Sequence, residues 1–173
     1  MYWIKGEFKI INDNSIEIEN NKIGYLVYLK KYNENNKIFI YEYFNNDQKY
    51  LLGFEEYEKL KLFEEIITYK GIGIKTAYKF INAFCYKELR KNILINNKKL
   101  FSEKSRIKEK TIENIINTLK KNNNEINEVY EVLIKLNYDF DDIDNFIKNF
   151  DKKLTNQELI NLYIKKRASK DTL

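Results

Sequence analysis

Two observations predict an α+β fold, with the β part first and the α part after it. Residues 1–54 carry short β-branched and aromatic runs separated by Asn-rich breaks, whereas from Glu55 onward apolar residues recur at helical spacing. Strands gathered at one end and helices at the other are unlike the alternating pattern of a parallel α/β sheet. A third observation divides the helical part, because formal charge is net zero over residues 1–54, +7 over 55–121 and −2 over 122–173. The chain therefore reads as a strand domain over 1–54, a basic helical domain over 55–121, a linker at 122–124 and an acidic helical domain over 125–173.

Five strands are expected: Tyr2 to Ile11, Ser15 to Glu19, Gly24 to Lys31, Lys37 to Phe44 and Lys49 to Phe54. Ile16 and Ile18 alternate with Glu17 and Glu19, which predicts one buried face. Ile38 and Ile40 alternate with Phe39 and Tyr41, which predicts burial of both faces. Five short antiparallel strands in so few residues suit a small closed barrel such as an OB-fold, since closure removes exposed sheet edges.

In the basic domain Tyr57, Leu60, Phe63, Ile66 and Ile67 form one apolar stripe, Ala77, Phe80, Ile81 and Phe84 a second, and Ile112, Ile115, Ile116 and Leu119 a third. A further helical region, Tyr86 to Ile95, is followed by a polar stretch. These stripes are core faces. Between the first two lies Lys70-Gly71-Ile72-Gly73-Ile74-Lys75-Thr76, with two of the chain's five glycines. Glycine permits positive φ and lets a backbone come close, so a tight helix-to-helix hairpin is expected, with Ile72 turned to the core. The next helix should begin near Ile74, its free amides suited to a nucleic-acid phosphate, with Lys70, Lys75 and Lys79 around that end. An ordinary glycine-capped turn is the plainer reading. Arg106-Ile107-Lys108-Glu109-Lys110-Thr111 stands in the same relation to the third stripe and resembles a second copy without glycines. There Arg106, Lys108 and Lys110 would hold phosphate through side chains.

The last domain shows three helical stripes: Ile126, Val129, Tyr130, Leu133 and Leu136; Ile143, Phe146, Ile147 and Phe150; and Leu159, Leu162 and Tyr163, the last opened by a Thr155/Glu158 capping box. A minimal three-helix bundle follows, with Asn137 at the left-handed stop of its first helix. Residues 125–145 hold seven acids and only Lys135, which suits protein docking rather than DNA. The acids Asp139, Asp141, Asp142 and Asp144 lack the glycine and bidentate Glu of an EF-hand and read as helix N-terminal charge, so no metal is assigned.

Composition narrows the chemistry further. The chain has no His, no Pro and a single cysteine, Cys85, so histidine-dependent catalysis and an internal disulfide are excluded. Cys85 fits a small buried hydrophobe in a reducing compartment. No apolar run of about 18 residues occurs and the charged N-terminus is unlike a signal peptide, so a cytoplasmic protein is expected. There is no phosphate-binding loop of an ATPase and no cofactor motif. The Glu55/Glu56 and Glu64/Glu65 pairs, which a nuclease could use, fall on or beside an amphipathic helix and read as its solvent face.

The whole resembles the RuvA family of Holliday-junction-binding subunits. The likeness rests on Tyr50-Leu51-Leu52-Gly53-Phe54 leading into Leu62-Phe63-Glu64-Glu65-Ile66-Ile67, on Lys70-Gly71-Ile72-Gly73 with Lys75 and Ala77, and on Leu133-Ile134-Lys135-Leu136-Asn137-Tyr138. It implies a non-catalytic homotetramer, or an octamer, that binds a four-way DNA junction in recombination and repair. It also implies helix-hairpin-helix elements that grip backbone at Lys70, Gly71, Ile72, Gly73, Ile74, Lys75, Thr76 and Lys79, and at Arg106, Lys108, Lys110 and Thr111. The ATPase RuvB, a separate hexamer, would dock on the last domain, where the match falls on Leu133, Leu136 and Tyr138, and a junction resolvase is a further partner of the family. The family's acidic pin falls on Asn46 and Asp47, of which only Asp47 is acidic. The competing reading is a general DNA- or RNA-binding protein with no junction preference.

Overall fold

The computed structural model describes residues 3–29, 37–122, 124–150 and 154–169. The expected strand ends at Tyr2 and Lys30–Lys31, the break at 33–36, Asn123 of the expected linker and the side chain of Ile126 lie outside the described residues. The elements run β1 (Trp3–Lys5), β2 (Glu7–Asn12), β3 (Ser15–Asn20), β4 (Ile23–Tyr28), β5 (Lys37–Asn45), β6 (Gln48–Phe54), α1 (Tyr57–Ile67), α2 (Ile74–Ile81), α3 (Tyr86–Leu94), α4 (Lys98–Ser105), α5 (Glu109–Asn122), α6 (Asn124–Lys135), α7 (Phe140–Lys148) and α8 (Asn156–Ala168). The chain is α+β, with the sheet first. Its contacts group it into two compact units, one ending at Tyr86 and the other beginning at Lys87.

The sheet has six strands in the order β1-β5-β6-β4-β3-β2. The expected first strand is divided at Gly6, where a Cβ would lie 2.1 Å from the Glu19 carbonyl oxygen. There the chain passes against the β3 backbone and changes partner, β1 pairing with β5 and β2 with β3. The two ends of the strand order are therefore one bent stretch of chain. Every pairing is antiparallel except β4 with β6, which meet in parallel at Tyr28 and Leu52.

Alternation decides the two faces of the sheet. Ile4, Ile16, Ile18, Val27, Leu29, Ile38, Ile40 and Leu51 are buried together on one side. On the other side of β5 the apolar residues meet α1: Phe39 packs on Tyr57 with ring centroids 5.4 Å apart, and Tyr41 meets Phe63 edge-on at 4.9 Å. Leu60, Phe63 and Ile66 of α1 and Ala77, Phe80 and Ile81 of α2 are wholly buried, as their spacing requires. Tyr57, at the start of that stripe, remains 40% exposed. Tyr78 fastens α2 to the sheet by donating its hydroxyl proton to the carbonyl oxygens of Tyr28, at 2.8 Å, and Gly53, at 3.2 Å. Both carbonyls lie beside the short parallel pairing of β4 and β6, so the phenol joins α2 to the two strands at that point. Burial, and after it the charge of Glu55, push the Tyr78 hydroxyl far above its ordinary pKa and keep it a donor.

In the second unit the polar stretch after α3 contains a helix that periodicity did not indicate. Asn97 caps this α4 by accepting from the Leu100 amide at 3.3 Å, and Phe101 is its buried anchor. Ile112, Ile115, Ile116 and Leu119 of α5 are buried as expected. A further core joins Leu94 of α3 to Val129, Tyr130 and Leu133 of α6, Phe140, Ile143 and Phe146 of α7, and Ile160 and Tyr163 of α8. Ile160 takes the inward place expected of Leu162, which is 36% exposed. Asn137 is left-handed at φ 63° and the Tyr138 amide returns to the Leu133 carbonyl, the closure expected at that helix end. The Thr155/Glu158 capping box is present, and the Thr155 backbone amide and then its side chain hold the Glu158 carboxyl below its ordinary pKa.

The acids of α7 are each occupied. Asp139 caps the helix through the Asp141 and Asp142 amides, Asp141 pairs with Lys87, and Asp142 pairs with Arg167. Buried Asp144 accepts from Tyr130 at 2.7 Å and pairs with Arg90 at 3.1 Å and Lys148 at 2.6 Å. Burial alone would raise its pKa, but the hydrogen bonds of Lys148 and Tyr130 and the charges of Lys148 and Arg90 outweigh it and hold it below the ordinary value.

Tyr78→Phe should destabilise the protein by about 1 kcal/mol, because two carbonyl oxygens lose their donor while the ring packing is kept. Urea denaturation checks this, and a midpoint equal to that of the parent protein would refute the fastening role.

Candidate nucleic-acid interface

The Gly71 turn forms where the sequence places it. The apolar stripes of α1 and α2 must share one core, so the chain reverses within residues 68–73. The Ile72 amide donates to the Tyr69 carbonyl at 3.1 Å, and Ile72 is half-buried. Gly71 has φ 90°, a conformation that side chains disfavour. Gly73 differs, since its φ is −82° and a Cβ there would meet nothing within 4 Å. Neither its φ nor its neighbours require glycine at 73, where the residue is the N-cap of α2, a position that glycine suits.

From Gly73 the helix begins. Its carbonyl accepts from Thr76 and Ala77, both at 3.0 Å. Among the described residues no acceptor serves the amides of Gly71, Gly73, Ile74 or Lys75. Exposed amides at the positive end of a helix favour an anion. Lys70, Lys75 and Lys79 surround them, all exposed and, among the described residues, without an ion pair.

The second turn repeats this geometry without glycine. Arg106 ends α4 in the left-handed region at φ 57°, its amide bonded to the Ser102 carbonyl. Ile107 is buried, its carbonyl accepting from the Ser102 hydroxyl at 2.8 Å. The Lys108 carbonyl accepts from Thr111 at 2.9 Å and Ile112 at 3.2 Å, as the Gly73 carbonyl does from Thr76 and Ala77. Arg106, Lys108 and Lys110 are exposed and lack ion pairs among the described residues. Elsewhere in the chain Lys49, Lys61, Lys87, Lys98, Lys120 and Lys148 are paired with carboxylates. Both turns thus carry cations that no carboxylate of the described residues engages, which is also true of Lys5, Lys9, Lys22 and Lys99 elsewhere.

Asn46 and Asp47 form the exposed two-residue tip of the β5–β6 hairpin, with φ 48° and 60°. Both need the left-handed region, which Asn and Asp tolerate best after glycine. Leu133 is wholly buried in the α6–α8 core, Leu136 is 52% exposed, and Tyr138 is half-buried against the Tyr163 ring at 5.1 Å. Cys85, expected inside, is exposed in the segment between α2 and α3, where Phe84 takes the buried place.

No family model matches the chain. Over 180 residues, 95% of each chain, it is 36% identical to the Holliday junction branch migration complex subunit RuvA of Mycoplasma capricolum. The chain belongs to the RuvA family. It is also 26% identical over 178 residues to the subunit of the same name from Hathewaya histolytica, covering 87% of this chain and 90% of that one. With the subunit from Clostridium tetani it shares 25% over 190 residues, covering 94% and 96%.

One feature of this RuvA-family chain was not visible in its sequence. Beside the Gly71 turn, Asn14, Tyr28, Tyr43, Tyr50, Leu52, Lys75, Tyr78, Lys79 and Asn82 line a cleft of about 350 Å³. Tyr43 and Tyr50 are cross-strand neighbours with rings stacked at 5.1 Å and 20°, and Tyr28 lies 5.9 Å from Tyr50. Burial first, then the facing phenols of Tyr50 and Tyr28, push the Tyr43 hydroxyl above its ordinary pKa, so the group stays neutral. The three tyrosines stand on three strands, and only the pairing of β4, β5 and β6 brings them together.

The two glycines of the turn should respond differently to alanine. Gly71→Ala is expected to cost about 1 kcal/mol because of its positive φ, while Gly73→Ala, at an N-cap with φ −82°, should cost less. Equal melting temperatures for the two variants would contradict the assigned backbone roles.

Proposed function

We propose that the chain is the DNA-binding, non-catalytic subunit of a branch-migration complex, which holds four-way junctions open and recruits the RuvB ATPase in recombination and repair. The observation that carries the reading is the pair of matching turns whose cations have no carboxylate partners among the described residues, in a chain 36% identical over 95% of its length to a RuvA subunit. Phosphate is the ligand such turns suit. The Gly71 turn offers backbone amides with Lys70, Lys75, Thr76 and Lys79 beside them, and the second turn offers Arg106, Lys108, Lys110 and Thr111. Contacts of this kind hold backbone and read no sequence, as a protein acting on any junction requires.

On this reading residues 1–54 are an OB-fold barrel in which β1 and β2 are two halves of one strand, a view supported by their pairing with opposite ends of the strand order. The helix-hairpin-helix elements are α1–α2 and α4–α5, within a DNA-binding domain over 55–121. Asn122 and Asn124 of the expected linker are instead the last residue of α5 and the first of α6, and the three-helix module of 125–173 is the motor-docking domain. Its exposed Leu136, with Tyr138 beside it, is the contact offered to RuvB, while Leu133 supports them from the core. Four subunits would converge on the crossover, with Asp47 at each hairpin tip repelling phosphates and Asn46 beside it keeping the turn. The assembly would work on DNA in the cytoplasm; no helix among the described residues is long and apolar enough to cross a membrane.

Gel-shift competition between a four-way junction and a duplex of equal charge tests the reading. The junction should win by at least tenfold, and equal competition would favour a general nucleic-acid-binding protein. Gly73→Val should abolish most of the junction affinity with the fold intact by circular dichroism, because its side chain would obstruct the phosphate. Arg106→Ala should reduce the slope of log affinity against log salt by about 0.9, the share of one phosphate. Leu136→Asp should weaken binding to RuvB in a pull-down while leaving junction affinity intact.

A further inference from the structure

The cleft beside the Gly71 turn has a chemistry that phosphate binding does not use. Four tyrosines line it, and among the described residues its charged members are Lys75 and Lys79, with no carboxylate. At about 350 Å³ it lies at the lower end of the range that small-ligand sites occupy, which suits one base with its sugar and not a double helix. The ring pair Tyr43–Tyr50 is held parallel by strand pairing, and the Tyr50 hydroxyl is anchored by the Gln48 side chain at 2.9 Å. A platform of this kind stacks any base, because every base has a π face, whereas a base within a duplex has both faces already covered. Lys75 and Lys79 supply the charge that a nucleotide's phosphates need. The two tyrosines also stand on the β5–β6 hairpin that carries Asn46 and Asp47 at its tip, so the cleft lies between that hairpin and α2.

We propose that this cleft receives one unpaired nucleobase of the bound DNA, stacked against the Tyr43–Tyr50 pair, with its flanking phosphates on Lys75 and Lys79. The inference rests on the DNA-binding reading above and adds a base contact to it. Unpairing is least costly where the duplex is already interrupted, as at a crossover or a bulge. The cleft is then a place where a strand separated at the junction centre is held apart without reading its sequence, since tyrosine stacking tolerates all four bases.

The test compares two four-way junctions that carry one extra residue at the crossover, thymidine in one and an abasic residue in the other. They match in charge and in backbone length and differ in the base. By fluorescence anisotropy the full-length protein should prefer the thymidine junction by about fivefold or more, the range expected for stacking one base on an aromatic side chain. Tyr50→Leu should bring that ratio to one and Tyr50→Phe should keep it. A ratio of one for the parent protein overturns the inference while leaving junction binding intact, whereas failure to bind either junction overturns the DNA-binding reading itself. Photocrosslinking of a 5-iodouracil placed at the extra position gives a check that needs no variant. An adduct on Tyr28, Tyr43 or Tyr50 supports the cleft, and adducts confined to other residues refute it.

Discussion

A single phenol decides where α2 stands. Tyr78 shares its hydroxyl proton between the carbonyls of Tyr28 and Gly53 and packs edge-on against Phe54 and Phe63, so one side chain ties two strand ends to two helices. Everything proposed for the first unit depends on that placement. Moving α2 would carry the Gly71 turn, the open amides at its N-terminus and both lysines of the cleft along with it. Burial keeps that phenol neutral, and a hydrogen bond it donates in the low-dielectric interior is stronger than one in water.

The two helix hairpins show how one backbone geometry can be reached by different residues. At the first, glycine takes the left-handed position and leaves the approach open; at the second, Arg106 adopts nearly the same conformation. The carbonyl pattern that follows is the same in both, as is the half-buried or buried Ile at the centre. What differs is how an anion would be met, by amides and lysines in one case and by longer cationic side chains in the other. The absence of partner carboxylates around these cations, among the described residues, separates them from the paired lysines elsewhere. Surface ion pairs contribute little to stability, so leaving cations free costs the fold little and keeps them available to DNA.

The α+β order, the core stripes of α1, α2 and α5, the Gly71 turn, the left-handed Asn137 and the Thr155 capping box were all legible in the sequence, because each depends on residues a few positions apart. α4 was not. In Lys98–Ser105 only Phe101 and Ser105 are buried, so no stripe exists to be read, and the one local signal is the Asn97 cap. The division of the first strand at Gly6 was hidden for another reason, since it follows from the Glu19 backbone pressing on that point. Cys85 and Leu162 were expected inside on spacing alone, and each lost its place to a neighbour, Phe84 and Ile160, that the packing could bury better.

The sequence by itself determined which residues must be buried, where the chain must turn, and that the free positive charge lies in the middle third, because side-chain periodicity, backbone preference and formal charge are local properties. The tertiary structure alone decided which strands are neighbours. That choice places Tyr28, Tyr43 and Tyr50 around one cleft and sets α2 over it, since strand partnership depends on contacts between residues far apart in the chain, and no local pattern records them.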